Sequence, residues 1–132
     1  MEKIIQHCQQ EYPFEACGLM LGREGDERYI TDVVKMANSY SGDRHVRYLI
    51  DPMEYYRAEM RAAEMKMRIY GVYHSHPDVQ ARPSAYDLEH FFPWYSYLIV
   101  SVVRGRVAEY RAWHLEETGG ARTASEESLE IV

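Results

Sequence analysis

Cysteine is scarce in this sequence: only Cys8 and Cys17 occur, with no CxxC pair. That excludes a disulfide framework and fits a reducing cytoplasm. No apolar run approaches the roughly 20 residues needed to cross a bilayer, which argues against a membrane role. The opening residues, Met1 to His7, are too polar for the core of a signal peptide. Positive charge is also short: 15 Lys and Arg stand against 21 Asp and Glu, a formal net charge of −6. Phosphate binding needs a basic face, so nucleic acid is not expected as the main partner. There is no internal repeat and no long linker.

What is present suffices for one core. The chain has 132 residues, 46% of them hydrophobic, which suits a single domain without disulfide staples. Tyrosine stands out, with 12 copies against 3 Phe and 2 Trp. Its apolar body and polar tip suit half-exposed sheet faces and partner surfaces alike. Aromatic enrichment in strands favours the sheet.

Ile4, Ile5, Cys8 and Tyr12 share a stripe at helical spacing, predicting a helix over residues 2–12 that Pro13 ends. Cys17 to Gly22 reads as a buried strand. A charged turn from Arg23 to Asp26 leads to a β-rich stretch, 28–36, that pairs back as a hairpin. Residues 37–45 form a polar loop and 46–50 a short strand. Asp51-Pro52 opens a helix to about Arg68, with an acidic cap and proline at the first helical position. Met53, Tyr56, Met60, Ala63 and Met67 share one face of it and are expected in the core, since methionine fills gaps well. Ile69 to Tyr73 lead into His74 as a strand. Pro77 to Pro83 is a loop, and Ser84 begins a helix that ends before Pro93. Tyr95 to Val103 and Val107 to Leu115 form a hairpin around Arg104-Gly105. These elements predict one α/β domain with a mixed sheet over residues 1–115. Residues 116–132 read as a polar, flexible tail in which Leu129 to Val132 supply an edge strand.

The chemistry concentrates between His74 and Asp87. His74 and His76 alternate on a strand and therefore leave from one face. Pro77 ends that strand, so the pair stands beside a loop. Asp87 lies on the first turn of the next helix, which the loop can fold back over the strand end. Two imidazoles and a carboxylate leave a fourth tetrahedral position open, the layout of catalytic zinc. Each piece has a plainer reading. A His-x-His pair also occurs on ordinary surfaces, and Ser84-Ala85-Tyr86-Asp87 also reads as a helix capping box. Glu15 after Pro13 reads alone as a solvated charge. His74-x-His76-x-Asp78 is similar to the opening of the metallo-β-lactamase motif, but Val79 stands where that motif needs histidine.

Taken together, Glu15, His74-Ser75-His76-Pro77, Pro83-Ser84 and Asp87 resemble the JAMM (MPN+) metalloprotease motif, with every position filled at the family's spacing. The resemblance implies a cytidine-deaminase-like α/β/α sandwich and one Zn2+ per chain. His74, His76 and Asp87 would be its ligands, Glu15 the general base and Ser84 an oxyanion donor. Catalytically dead relatives lack ligands of this set, and this chain lacks none. The span from Asp87 to the Tyr95 strand is short, leaving little room for the insertion with which deubiquitinating relatives grip a modifier. The compact layout, the Glu15-Ala16-Cys17-Gly18 segment and the acidic end resemble bacterial peptidases acting on small ubiquitin-like sulfur carriers. Such an enzyme would cleave after the carrier's C-terminal Gly-Gly and release cysteine or a short peptide. The alternatives are an isopeptidase that removes a modifier from lysine, and a non-catalytic interaction domain that keeps its zinc. His7, His45, His90 and His114 have no ligand spacing; His90, near the face of Asp87, is a candidate partner for that carboxylate. Cys17 is expected to be a small core residue rather than a nucleophile.

Overall fold

The computed structural model of the protein describes residues 1–25 and 28–132; Asp26, which ends the expected charged turn, lies outside them. Among the described residues six strands form one sheet: β1 (Cys17–Gly22), β2 (Asp32–Met36), β3 (Arg68–Pro77), β4 (Ser96–Val103), β5 (Arg106–Thr118) and β6 (Ala121–Glu127). Their order is β2-β1-β3-β4-β5-β6. β3 and β4 run parallel and every other pair is antiparallel. A parallel pair needs a crossover, and this one contains the short helix α3 (Ala85–His90).

Alternation along the strands divides the core in two. Leu19, Leu21, Val72, Tyr97 and Ile99 pack with Ala58 and Ala62 of α2 (Pro52–Glu64) and with Phe91, just past α3. Met20, Tyr73, Leu98 and Val100 pack with Ile4 and Cys8 of α1 (Glu2–Glu11) on the opposite face. The result is the expected α/β/α sandwich with a mixed sheet. Gly18 lies opposite Tyr73, and a Cβ on it would come within 2.3 Å of the tyrosine ring. Glycine here lets the ring lie over β1 while its hydroxyl meets His7 Nδ1 at 2.7 Å. No helix among the described residues is long and apolar enough to cross a membrane.

Five expectations are corrected. The Met53, Tyr56, Met60 face of α2 is exposed, with Met53 at 57%. The helix instead buries Ala58 and Ala62 with Tyr55 beside them, because small side chains let its axis approach the sheet. α2 also stops at Glu64, where Lys66 turns the chain at φ 57. Residues 46–50 are not a strand: Leu49 bonds back to residues 38 and 39, not to a sheet edge. Residues 116–127 are not a tail, for β5 runs on to Thr118 and β6 returns along it. Gly119 and Gly120, both at positive φ, form the two-residue turn between them. The edge strand is thus 121–127, and residues 128–132 carry none.

Candidate metal centre

β3 brings His74 and His76 out on the α2/α3 face, beyond Val72, and α3 brings Asp87 to meet them. His74 Nε2 lies 3.1 Å from His76 Nε2 and 3.3 Å from Asp87 Oδ2. His76 Nε2 lies 3.1 Å from the same carboxylate oxygen. All three residues are buried. Zinc bonds to such donors are about 2.0–2.1 Å long, so two tetrahedral ligands stand roughly 3.3 Å apart. The three donor atoms therefore fit a small divalent cation in both chemistry and spacing.

The surroundings hold these donors. His76 Nδ1 meets the Gln80 carbonyl at 2.8 Å, so it carries the proton and leaves the Nε2 lone pair facing the centre. Tyr48 stacks on His74, with ring centroids 4.6 Å apart. Complete burial keeps His74 below its usual pKa, which favours the neutral, ligating imidazole. Burial alone would raise the Asp87 carboxyl. The neighbouring histidines and the Ser84 N–H outweigh it and hold Asp87 well below the usual carboxylate range.

The two readings of Ser84 and Asp87 are compatible. Asp87 Oδ2 accepts from the Ser84 N–H at 3.0 Å, and Ser84 Oγ accepts from the Asp87 N–H at 3.0 Å. The capping box is complete. It also aims Asp87 Oδ2, the oxygen that faces both histidines. Ser84 uses a lone pair in the cap, so its hydroxyl proton remains free to donate.

Glu15 is not a solvated charge. It is 4% exposed, and Oε1 has no hydrogen-bond partner among the described residues. Burial, and then the nearby Asp87 carboxylate, push its pKa up to about 9. Asp87 is thus near enough to Glu15 for the two carboxylates to repel. Ser75, between the two histidines, points to the opposite face. Its Oγ accepts from the Ala16 N–H at 2.8 Å, and its own N–H donates to the Ala16 carbonyl at 3.1 Å. The segment carrying Glu15 is thereby fastened to the strand carrying the two histidines.

The remaining histidines stand apart. His90 meets the Tyr86 carbonyl, not Asp87, and lies tilted against the Tyr86 ring. His7, His45 and His114 pair with Tyr73, Asp43 and Glu116. Cys8 and Cys17 are buried, and burial raises both thiols to about 12, which disfavours the reactive thiolate. Sequence reasoning overlooked Ser75, Tyr48 and Asn38. Strand alternation already assigns Ser75 to the opposite face from the histidines. No local pattern marks the other two.

Comparison with known proteins agrees with this geometry. Residues 1–127 match the family described as prokaryotic homologs of the JAB domain. A desampylase of Pyrococcus furiosus is 28% identical over 103 residues, which cover 78% of this chain and 68% of that protein. A desampylase of Haloferax volcanii is 31% identical over 105 residues, covering 76% and 74%. A Desulfitobacterium hafniense protein with a known solution structure is 32% identical. Its likeness covers 96% of this chain and 84% of that one, with a TM-score of 0.80. The family match runs through all six strands and includes the His74, His76 and Asp87 centre, and the chain belongs to the JAB (JAMM/MPN) domain family.

Proposed function

We propose that this protein is a zinc-dependent peptidase of the cytoplasm. It hydrolyses the bond after the C-terminal Gly-Gly of a small ubiquitin-like sulfur carrier and releases cysteine or a short peptide. The observation that carries the hydrolytic reading is the convergence of three buried donor atoms, 3.1 to 3.3 Å apart, together with a buried Glu15 carboxylate whose Oε1 has no hydrogen-bond partner among the described residues. A structural site needs no such second carboxylate.

His74, His76 and Asp87 would hold one zinc. A zinc held by them would supply Lewis acidity for the scissile carbonyl and acidify water at the centre towards a pKa of roughly 7. Glu15 accepts the proton of the attacking water and passes it to the leaving amine. Its raised pKa belongs to the metal-free pocket; a divalent cation nearby favours the carboxylate and restores a base at neutral pH. The Ser84 hydroxyl donates to the oxygen of the scissile carbonyl as charge develops on it. The cap holds that hydroxyl in place before substrate arrives.

The carrier is inferred from the relatives called desampylase, a name that points to ubiquitin-like modifiers, and from the short connection between Asp87 and β4. Gly-Gly suits a buried centre because it brings backbone close without side chains. The name of the relatives also favours a second reading, an isopeptidase acting on lysine-linked conjugates. One experiment separates them. Zinc-loaded protein is incubated with a carrier ending in Gly-Gly-Cys and with a lysine-linked conjugate, with Glu15→Gln as control, and masses are read. Loss of the cysteine mass supports the peptidase. Cleavage of the conjugate alone supports the isopeptidase, and an intact pair of substrates overturns both.

A further inference from the structure

Glu15 lies in a segment, residues 12–16, that belongs to no helix or strand. A base placed on irregular backbone needs an external hold, because buried peptide groups must find partners. Its N–H donates to the Arg44 carbonyl at 2.8 Å, and its carbonyl accepts from Asn38 Nδ2 at 3.0 Å. Both partners belong to the loop between β2 and α2.

Asn38 is the hub of that loop. Nδ2 also donates to the Arg47 carbonyl at 3.0 Å. Oδ1 accepts from the Tyr40 N–H at 3.1 Å and from the Leu49 N–H at 3.2 Å. One amide thus uses both donors and both acceptor positions. All four partners are backbone atoms, so the side chain acts as a rigid four-way joint. The Ser39 N–H, bonded to the Leu49 carbonyl at 2.8 Å, closes the loop base beside it. On the far limb Tyr48 stacks on the ligand His74. The loop is therefore tied to the base at Glu15 and to the metal centre at His74, and Asn38 joins the two limbs.

We infer that Asn38 is a positioning residue for the reaction: it sets the Glu15 carboxylate by holding its backbone and the loop that flanks it. This rests on the reading of Glu15 as the general base. A displacement of a reacting group by about 1 Å can cost 10²-fold in rate, whereas the hydrogen bonds of Asn38 go to residues 15, 40, 47 and 49 and not to the metal donors.

The test is a double-mutant cycle with Asn38→Ser, Asn38→Ala, Glu15→Gln and the combined Asn38→Ser/Glu15→Gln, on a carrier ending in Gly-Gly-Cys. Asn38→Ser should lower kcat by roughly tenfold or more, with KM within about threefold and zinc content unchanged. In the Glu15→Gln background the same change should cost nothing further, because the group it positions is gone. An additive loss in that background overturns the proposal, as does an unchanged kcat. In metal-free protein, amide exchange at residues 15–16 and 39–49 should quicken in Asn38→Ser while β3 and β4 stay protected; unchanged exchange also overturns it. If both Asn38 variants unfold, the residue is structural and the proposal falls. If Glu15→Gln itself keeps near-normal turnover, the base assignment fails first, and that outcome is distinct from the others.

Discussion

Removing the charge of Glu15 should stabilise the metal-free protein while it disables the enzyme. The carboxyl is 4% exposed, with one oxygen unpartnered among the described residues. Burial and the Asp87 charge raise its pKa from 4.5 to about 9. A carboxyl whose folded pKa is raised contributes full stability below its unfolded pKa, near 4.5, and drains stability as pH climbs to about 9. At pH 7 that penalty amounts to about 3 kcal/mol, since each pH unit above 4.5 is worth roughly 1.4 kcal/mol. That is a large share of the roughly 5–15 kcal/mol that holds a domain folded. Glutamine keeps the shape and never ionises. It carries its own burial cost, about 1–3 kcal/mol if unpaired, but that cost does not change with pH. The measured quantity is therefore the difference in unfolding free energy between Glu15→Gln and wild type. Urea titrations with chelator at pH 5, 6, 7 and 8 should show it growing by about 1.4 kcal/mol per unit. Adding zinc should flatten the slope, because the cation then favours the ionised carboxylate. A pH-independent difference in the chelated protein would refute the reasoning, since Glu15 would then titrate as an ordinary surface carboxyl.

The legibility of the sequence differed from residue to residue for physical reasons. His74, His76 and Asp87 were readable as a set because the resemblance to the JAMM motif joined pieces that each had a plainer reading alone, and their donor atoms do lie together in the structure. Strand alternation and a helix cap then left few ways to arrange them. The strands β1, β3 and β4 were readable because apolar runs bounded by glycine or proline have few other fates. The buried face of α2 was not. Its alanines carry little hydrophobic weight, yet they decide how near the helix comes, while the bulkier Met53, Tyr56 and Met60 are left outside. β6 was missed because its residues are polar on both faces. Only Gly119-Gly120, a pair suited to a two-residue hairpin turn, betrayed it. Asn38 left no trace in any local pattern, because the backbone atoms it binds include Glu15, which is 23 positions away. Periodicity sees what a segment does for itself. It is blind to a side chain whose partners are the backbone of distant segments.

The other predictions concern the centre and its supports. The protein should hold about one zinc per chain, removable by chelator, and His74→Ala or His76→Ala should abolish binding in elemental analysis. Ser84→Ala should cost on the order of 10²-fold in kcat if its hydroxyl serves the oxyanion; a role in the cap alone would instead remove about 1 kcal/mol in denaturation. Gly18→Ala would set a methyl 2.3 Å from the Tyr73 ring, and calorimetry should show a loss of about 1–3 kcal/mol. Arg122→Ala tests whether β6 supports the metal centre from a distance. α3 spans only Ala85–His90, too short to persist alone. The capping box holds its first turn, and Arg122 holds its end: Nε donates to the Leu88 carbonyl at 2.9 Å, and Nη2 donates to the Phe91 carbonyl. Without that fork the helix end loses two charge-assisted bonds, and Asp87 is carried by a looser helix. Zinc affinity, measured by competition with a chromophoric chelator, should fall by roughly tenfold, equivalent to about 1.4 kcal/mol. Arg122→Lys keeps the charge but not the fork, and should fall between. Glu117→Ala removes only the exposed carboxylate that Arg122 meets at 3.3 Å, and should change little. An Arg122→Ala protein that binds zinc as tightly as wild type would show that α3 stands on its cap alone, and that residues 116–127 add nothing to the centre.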